Sequence, residues 1–105
     1  MIVATVHYRV VPGSRDEVCR LSARIRAYAR GLAGNVEYCP SPSPYEDDAM
    51  ISLEKWETLA AMKAYCDSEE CKRFQEARDV YLVPGTMSAQ VYEAQEVPLE
   101  TVMQR

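Results

Sequence analysis

Residues 2 to 11 alternate without a break: Ile2, Ala4, Val6, Tyr8 and Val10 fall on one side, Val3, Thr5, His7, Arg9 and Val11 on the other. A period of two is that of a β-strand, so the chain is committed from its start to a sheet with two distinct faces. Pro12-Gly13 ends the strand. Ser14 stands three residues before Glu17, the spacing of a capping box, and predicts a helix start. Val18, Leu21, Ile25, Tyr28, Ala29 and Leu32 then recur at helical steps as one apolar stripe, and Gly31 and Gly34 supply the stop.

The remaining elements follow from the same two periods. Asn35 to Cys39 reads as a short strand that gives way to a Pro-Ser-Pro-Ser-Pro loop ending near Asp48, because proline cannot donate to a ladder. Ala49 to Trp56 reads as a well-buried third strand. Thr58 is placed to cap a second helix carrying Leu59, Met62, Tyr65 and Cys66; Ser68 is placed to cap a third, with Phe74, Ala77 and Tyr81 on one face. Pro84-Gly85 closes that helix, Thr86 to Val97 alternates as a fourth strand, and residues 98–105 read as a tail after a single domain over 1–97. Strand, helix, strand, strand, helix pair, strand is a split β-α-β order. It predicts an α+β fold: one four-stranded antiparallel sheet with its helices on one face. The other face, carrying Val3, His7, Arg9 and Val11, then needs a partner, and a sheet-to-sheet homodimer suits it.

At 105 residues the chain can bury one modest core. A net charge of −4, with five arginines confined to Arg15–Arg30, leaves no broad basic surface for nucleic acid. No apolar run reaches membrane-spanning length, and the N-terminus has no signal-peptide core. Cys19, Cys39, Cys66 and Cys71 form no C-x-x-C pair, and Cys66-x4-Cys71 with a lone distant histidine fits no common zinc spacing. Reduced thiols in a cytoplasm and no metal site are expected. Only four glycines are present, and no phosphate-binding glycine loop occurs among them, which argues against a bound nucleotide cofactor.

With the elements placed, VVPGSRDEV after the first strand, GNVEY entering the second, LEKWET closing the third, AYCDSEECKRF across the helix junction and VYEA in the last strand stand in a familiar order. In these motifs the chain resembles the antibiotic biosynthesis monooxygenase family, over roughly residues 1 to 95. The resemblance implies a ferredoxin-like dimeric α+β barrel. It also implies a pocket between sheet and helices in each subunit and, for many members, oxygenation of an electron-rich aromatic or quinol by O2 without flavin, haem or metal. Where members commonly read Ser-Pro-His-Phe, this chain has Ser68-Glu69-Glu70-Cys71, so Glu70 stands at the histidine position. The haem-degrading branch uses an asparagine, a tryptophan and a histidine where this chain has Val6, Tyr65 and the stretch around Ala77 and Arg78, which argues against haem degradation.

Oxygenation without a cofactor requires the substrate to lose a proton before it can pass an electron to O2. Glu70 is the candidate base if it faces the pocket; the alternative is an exposed first-turn glutamate kept ionised by the helix N-terminus. Arg78 and Arg73 are candidates to hold the resulting anion, or else form surface ion pairs. Tyr8, on the helix-side face of the first strand, is the preferred pocket tyrosine. Trp56, Tyr65, Phe74 and Tyr38 are candidates to wall an aromatic slot, or to be core. His7 falls on the opposite face. Three functions remain open at this point: a cofactor-independent monooxygenase on a small aromatic substrate, a non-oxidative isomerase acting on a small carbonyl compound, and a ligand-binding dimer without chemistry.

Overall fold

The computed structural model describes residues 1–103. Strands β1 (Ile2–Arg9), β2 (Asn35–Pro42), β3 (Ala49–Trp56) and β4 (Ser88–Glu93) form one antiparallel sheet in the order β2-β3-β1-β4. Helices α1 (Arg15–Arg30), α2 (Leu59–Cys66) and α3 (Glu69–Asp79) lie between them in the chain, and a single turn, α4 (Leu99–Val102), ends it. This is the expected α+β ferredoxin-like arrangement, with an open, unclosed sheet.

The alternation in β1 sets the layers. Ile2, Ala4, Tyr8 and Val10 are buried, whereas Val3, Thr5 and His7 are half-buried and Arg9 is exposed. Across the ladder, Ile2 faces Trp56, Ala4 faces Glu54, Val6 faces Ser52 and Tyr8 faces Met50, so the helix-side face of β3 is Met50, Ser52, Glu54 and Trp56. On α1 the residues pressed against it are Val18, Ser22, Ile25 and Ala29. The apolar core therefore splits in two. One cluster gathers Ile2, Ile25, Ala29, Tyr38, Trp56, Tyr65 and Cys71, the other Tyr8, Val10, Val18 and Met50. Between them Ala4, Ser22, Ser52 and Glu54 are too small or too polar to fill the space.

Four local expectations are corrected. Ser14 does not form a capping box: its hydroxyl donates to the Val11 carbonyl at 2.6 Å and closes the Pro12-Gly13 turn, in which Gly13 holds φ +86°. Strand β2 continues through Pro40 to Pro42 rather than stopping at Cys39, because it is an edge strand whose prolines need no ladder partner on the open side. Helix α3 ends at Asp79, so Tyr81 lies beyond it, its carbonyl accepting from Val11 N–H at 2.8 Å. Strand β4 is shorter than Thr86–Val97 because its partner runs out: Glu93 pairs with Ile2, and Ala94 N–H reaches the Met1 carbonyl at 2.8 Å. Residues 104 and 105 of the tail lie outside the described residues. No described helix is long and apolar enough to cross a membrane.

Candidate active site

The gap between the two core clusters holds two adjoining chambers with five lining residues in common. The inner one, about 50 Å³, is reached by Tyr8, Ser22 and Ser52; the outer one, about 360 Å³, by Tyr65, Cys71, Gln75, Met87 and Ala89. Val6, Tyr38, Glu54, Phe74 and Arg78 line both and so form the throat. The outer chamber opens beside β4, whose residues are all exposed. Its size is within the roughly 300–1,000 Å³ of small-ligand sites.

The walls are aromatic and fixed. Tyr65 stacks on Trp56 at 5.2 Å and 26°, and Tyr38 meets Tyr65 edge-on at 5.5 Å. The Tyr38 and Tyr65 hydroxyls share a hydrogen bond of 2.7 Å, with both residues buried. Burial pushes both phenols well above their ordinary range, so neither ionises near neutrality. Burial also raises Tyr8, opposed by the Arg78 guanidinium and by the Ser22 hydroxyl beside it. The Arg78 guanidinium carbon lies 5.1 Å from the Tyr8 ring centre and 5.3 Å from that of Phe74, while Nε and Nη2 bind the Asp79 carboxylate at 3.1 and 3.0 Å. Two rings and a carboxylate thus hold one positive charge at the throat.

Glu54 is a buried acid on this cavity that the sequence reading did not single out. It is 8 % exposed, accepts Trp56 Nε1–H through Oε1 at 3.1 Å, and has no cationic partner among the described residues. Burial raises its pKa above the ordinary glutamate range, with the Trp56 hydrogen bond opposing. A buried carboxyl with a raised pKa and no ion pair is a stronger base than a surface glutamate. The signal was present: Glu54 stands two residues before Trp56, hence on the same inward face.

The structure gathers Tyr8, Tyr38, Tyr65, Phe74 and Arg78 around this cavity. Trp56, fully buried, lies behind Tyr65 and orients Glu54 rather than touching the open space. Glu70 and Arg73 are not brought to it. Both are exposed and line a separate groove between α1 and α3 with Leu21, Arg24, Ile25, Tyr28 and the far side of Phe74. Arg73 Nε pairs there with Glu69 at 3.5 Å. Glu70, in the first turn of α3, lies in the groove against α1, whereas Cys71 in the same turn is buried in the core beneath the helix. Cys71 is buried and Cys66 exposed, and no group of three metal-ligating side chains occurs among the described residues.

Residues 1–77 match the antibiotic biosynthesis monooxygenase family. The chain belongs to that family. Of curated relatives, "Putative monooxygenase YcnE" from Bacillus subtilis is 28% identical over 74 residues, which are 70% of this chain and 78% of that protein. The fold is shared with a crystal structure described as a "putative antibiotic biosynthesis monooxygenase" from Deinococcus radiodurans, with TM-score 0.85 and 17% identity over 93% of this chain and 96% of that one. A conserved protein from Methanosarcina mazei gives TM-score 0.82 and 15% identity, over 90% and 92% of the two chains. Membership in this monooxygenase family directs attention to a small-molecule site, and the two-chambered cavity is where the titratable groups meet.

Proposed function

We propose that this protein is a cofactor-independent monooxygenase that oxidises an electron-rich aromatic compound, a quinol or anthrone, with O2. The observation that carries the reading is Glu54: a buried carboxyl, oriented by Trp56 and unpaired by any described cation, at the throat of an aromatic-walled cavity. The substrate ring enters beside β4 and lies against Tyr38, Tyr65 and Phe74. Glu54 takes the proton from the acidic carbon or hydroxyl, and Arg78 stabilises the anion. For an anthrone-type carbon, the anion passes an electron to O2 and the resulting pair joins as a carbon–oxygen bond. The peroxide takes its proton back from Glu54 and loses water. The balance is one CH2 and one O2 giving one C=O and one H2O, with no external reductant.

Glu70 and Arg73, exposed on the other side of Phe74, have no part in this step. The unpaired sheet face, a shallow trough of about 460 Å³ lined by Thr5, His7, Cys39, Ile51 and Leu53, is where a second copy packs in this reading. Oxygen uptake by the purified protein, measured across a panel of anthrones and quinols, tests the proposal. Uptake with the parent and with Glu70→Gln, and its loss in Glu54→Gln, is expected. No uptake with any compound, or full uptake by Glu54→Gln, would refute it.

A further inference from the structure

Two hydroxyls in the cavity have nothing to bind. Ser22 Oγ, on α1, and Ser52 Oγ, on β3, are both buried and have no hydrogen-bond partner among the described residues. Ser22 as a whole is 2 % exposed, and its hydroxyl is near enough to the Tyr8 phenol to oppose that phenol's raised pKa but does not reach hydrogen-bond geometry with it. A buried hydroxyl without a partner keeps the full penalty of having left water, so two in one small space need a ligand or water to complete them. Both line the inner chamber, and neither lines the outer one.

The chamber's size decides what reaches them. About 50 Å³ accommodates a few waters, each needing about 10–15 Å³ on this scale. It is too small for an aromatic ring, which the outer chamber of about 360 Å³ accepts. A ring held in the outer chamber and throat can therefore extend only its leading oxygen substituents past Glu54 and Arg78. A serine hydroxyl donates and accepts, so it binds either a carbonyl or a hydroxyl oxygen there.

We propose that Ser22 and Ser52 are specificity-determining residues that hydrogen-bond the oxygen atoms on the leading edge of a ring substrate, replacing water in the inner chamber. The inference rests on the aromatic-substrate reading above and narrows it: the substrate carries hydroxyl or keto oxygens on the edge opposite its exposed end. A ring without them leaves both serines unpaired and is discriminated against, as sites built to bind a hydroxyl reject analogues that lack it.

Binding of non-reacting probes separates this inference from the oxygenase reading. Anthraquinone, and a dihydroxyanthraquinone with adjacent hydroxyls on one outer edge, are both already at the product oxidation level. Trp56, the single tryptophan, stacks on Tyr65 in the outer-chamber wall and reports either ligand by fluorescence quenching. The parent protein is expected to bind the dihydroxy compound about tenfold more tightly. Ser22→Ala and Ser52→Ala should each reduce that preference several-fold and the double variant should abolish it, with anthraquinone bound as tightly as before. Ser22→Cys, which keeps the volume and weakens the donor, gives an intermediate preference. Equal binding of the two compounds by the parent, or an unchanged preference in the double variant, overturns the proposal alone. Binding of neither compound overturns it together with the aromatic-substrate reading.

Discussion

The Tyr38–Tyr65 hydroxyl pair makes a quantitative claim about the cavity wall. Tyr65→Phe keeps the ring stacked on Trp56 and removes only the oxygen that sits 2.7 Å from the Tyr38 hydroxyl. Removing one partner of this buried neutral hydrogen bond strands the Tyr38 hydroxyl, at a cost of about 1–3 kcal/mol. Because Tyr38 borders both chambers, water can reach that hydroxyl in part, which places the total near the lower end, about 1–2 kcal/mol. For a domain of this size that is a fall in melting temperature of roughly 4–16 °C, at 4–8 °C per kcal/mol. Tyr38→Phe should cost a similar amount. The double variant strands no hydroxyl, so its cost should fall short of the sum of the singles by about 1 kcal/mol. Urea unfolding of all four proteins at one fixed protein concentration measures the cycle, the fixed concentration removing any contribution from self-association. Additive costs, with a coupling below a few tenths of a kcal/mol, would show that the two hydroxyls do not bind each other, and the rigid wall would go with them.

Three further predictions follow from single positions. Burial raises the Glu54 pKa in the folded state, so its contribution to stability is fully present below the ordinary glutamate pKa of about 4.3 and is lost as pH rises through the raised value. Burying this acid therefore costs the fold more at about pH 7 than near pH 4, so Glu54→Gln should raise the melting temperature at about pH 7 and lose that advantage near pH 4, in melts across that range. Gly34 holds φ +83°, and a Cβ there would meet the Ala61 Cβ at 2.7 Å, whereas Gly13 at φ +86° faces open space. Gly34→Ala should cost about 1 kcal/mol or more beyond Gly13→Ala in chemical unfolding, since both share the backbone strain and only one has the clash. In sedimentation velocity the parent is expected to run as the proposed dimer and Leu53→Lys, in the trough of the unpaired sheet face, as a monomer; a monomeric parent or an unchanged variant would refute that contact.

Much of the fold was legible because two periods, repeated along the chain, carry it. Alternation in residues 2–11 and 49–56, and the stripe from Val18 to Leu32, fix which elements form and which face of each is apolar. Where local patterning and context disagreed, context decided. Pro40 and Pro42 read as loop, yet they close an edge strand; β4 reads as long, yet it stops where β1 has no more residues to pair. The inward face of Tyr8 was also legible from its alternation with Ile2, Ala4 and Val6, whereas Trp56, expected in the cavity wall, lies behind Tyr65.

What the sequence determined alone is therefore the element order, the two-faced sheet and the supply of aromatic side chains beneath the helices, because these depend on spacing between near neighbours. Which acid meets those rings was decided only in three dimensions. The sequence points to Glu70 and gives Glu54 no part. The rotation of α3 against α1 sends Glu70 to an outer groove, while the β1–β3 register puts Glu54 opposite Ala4. That pairing leaves a gap between two halves of the core, and the low dielectric of the gap, absent from any stretch of sequence, is what raises the pKa of Glu54.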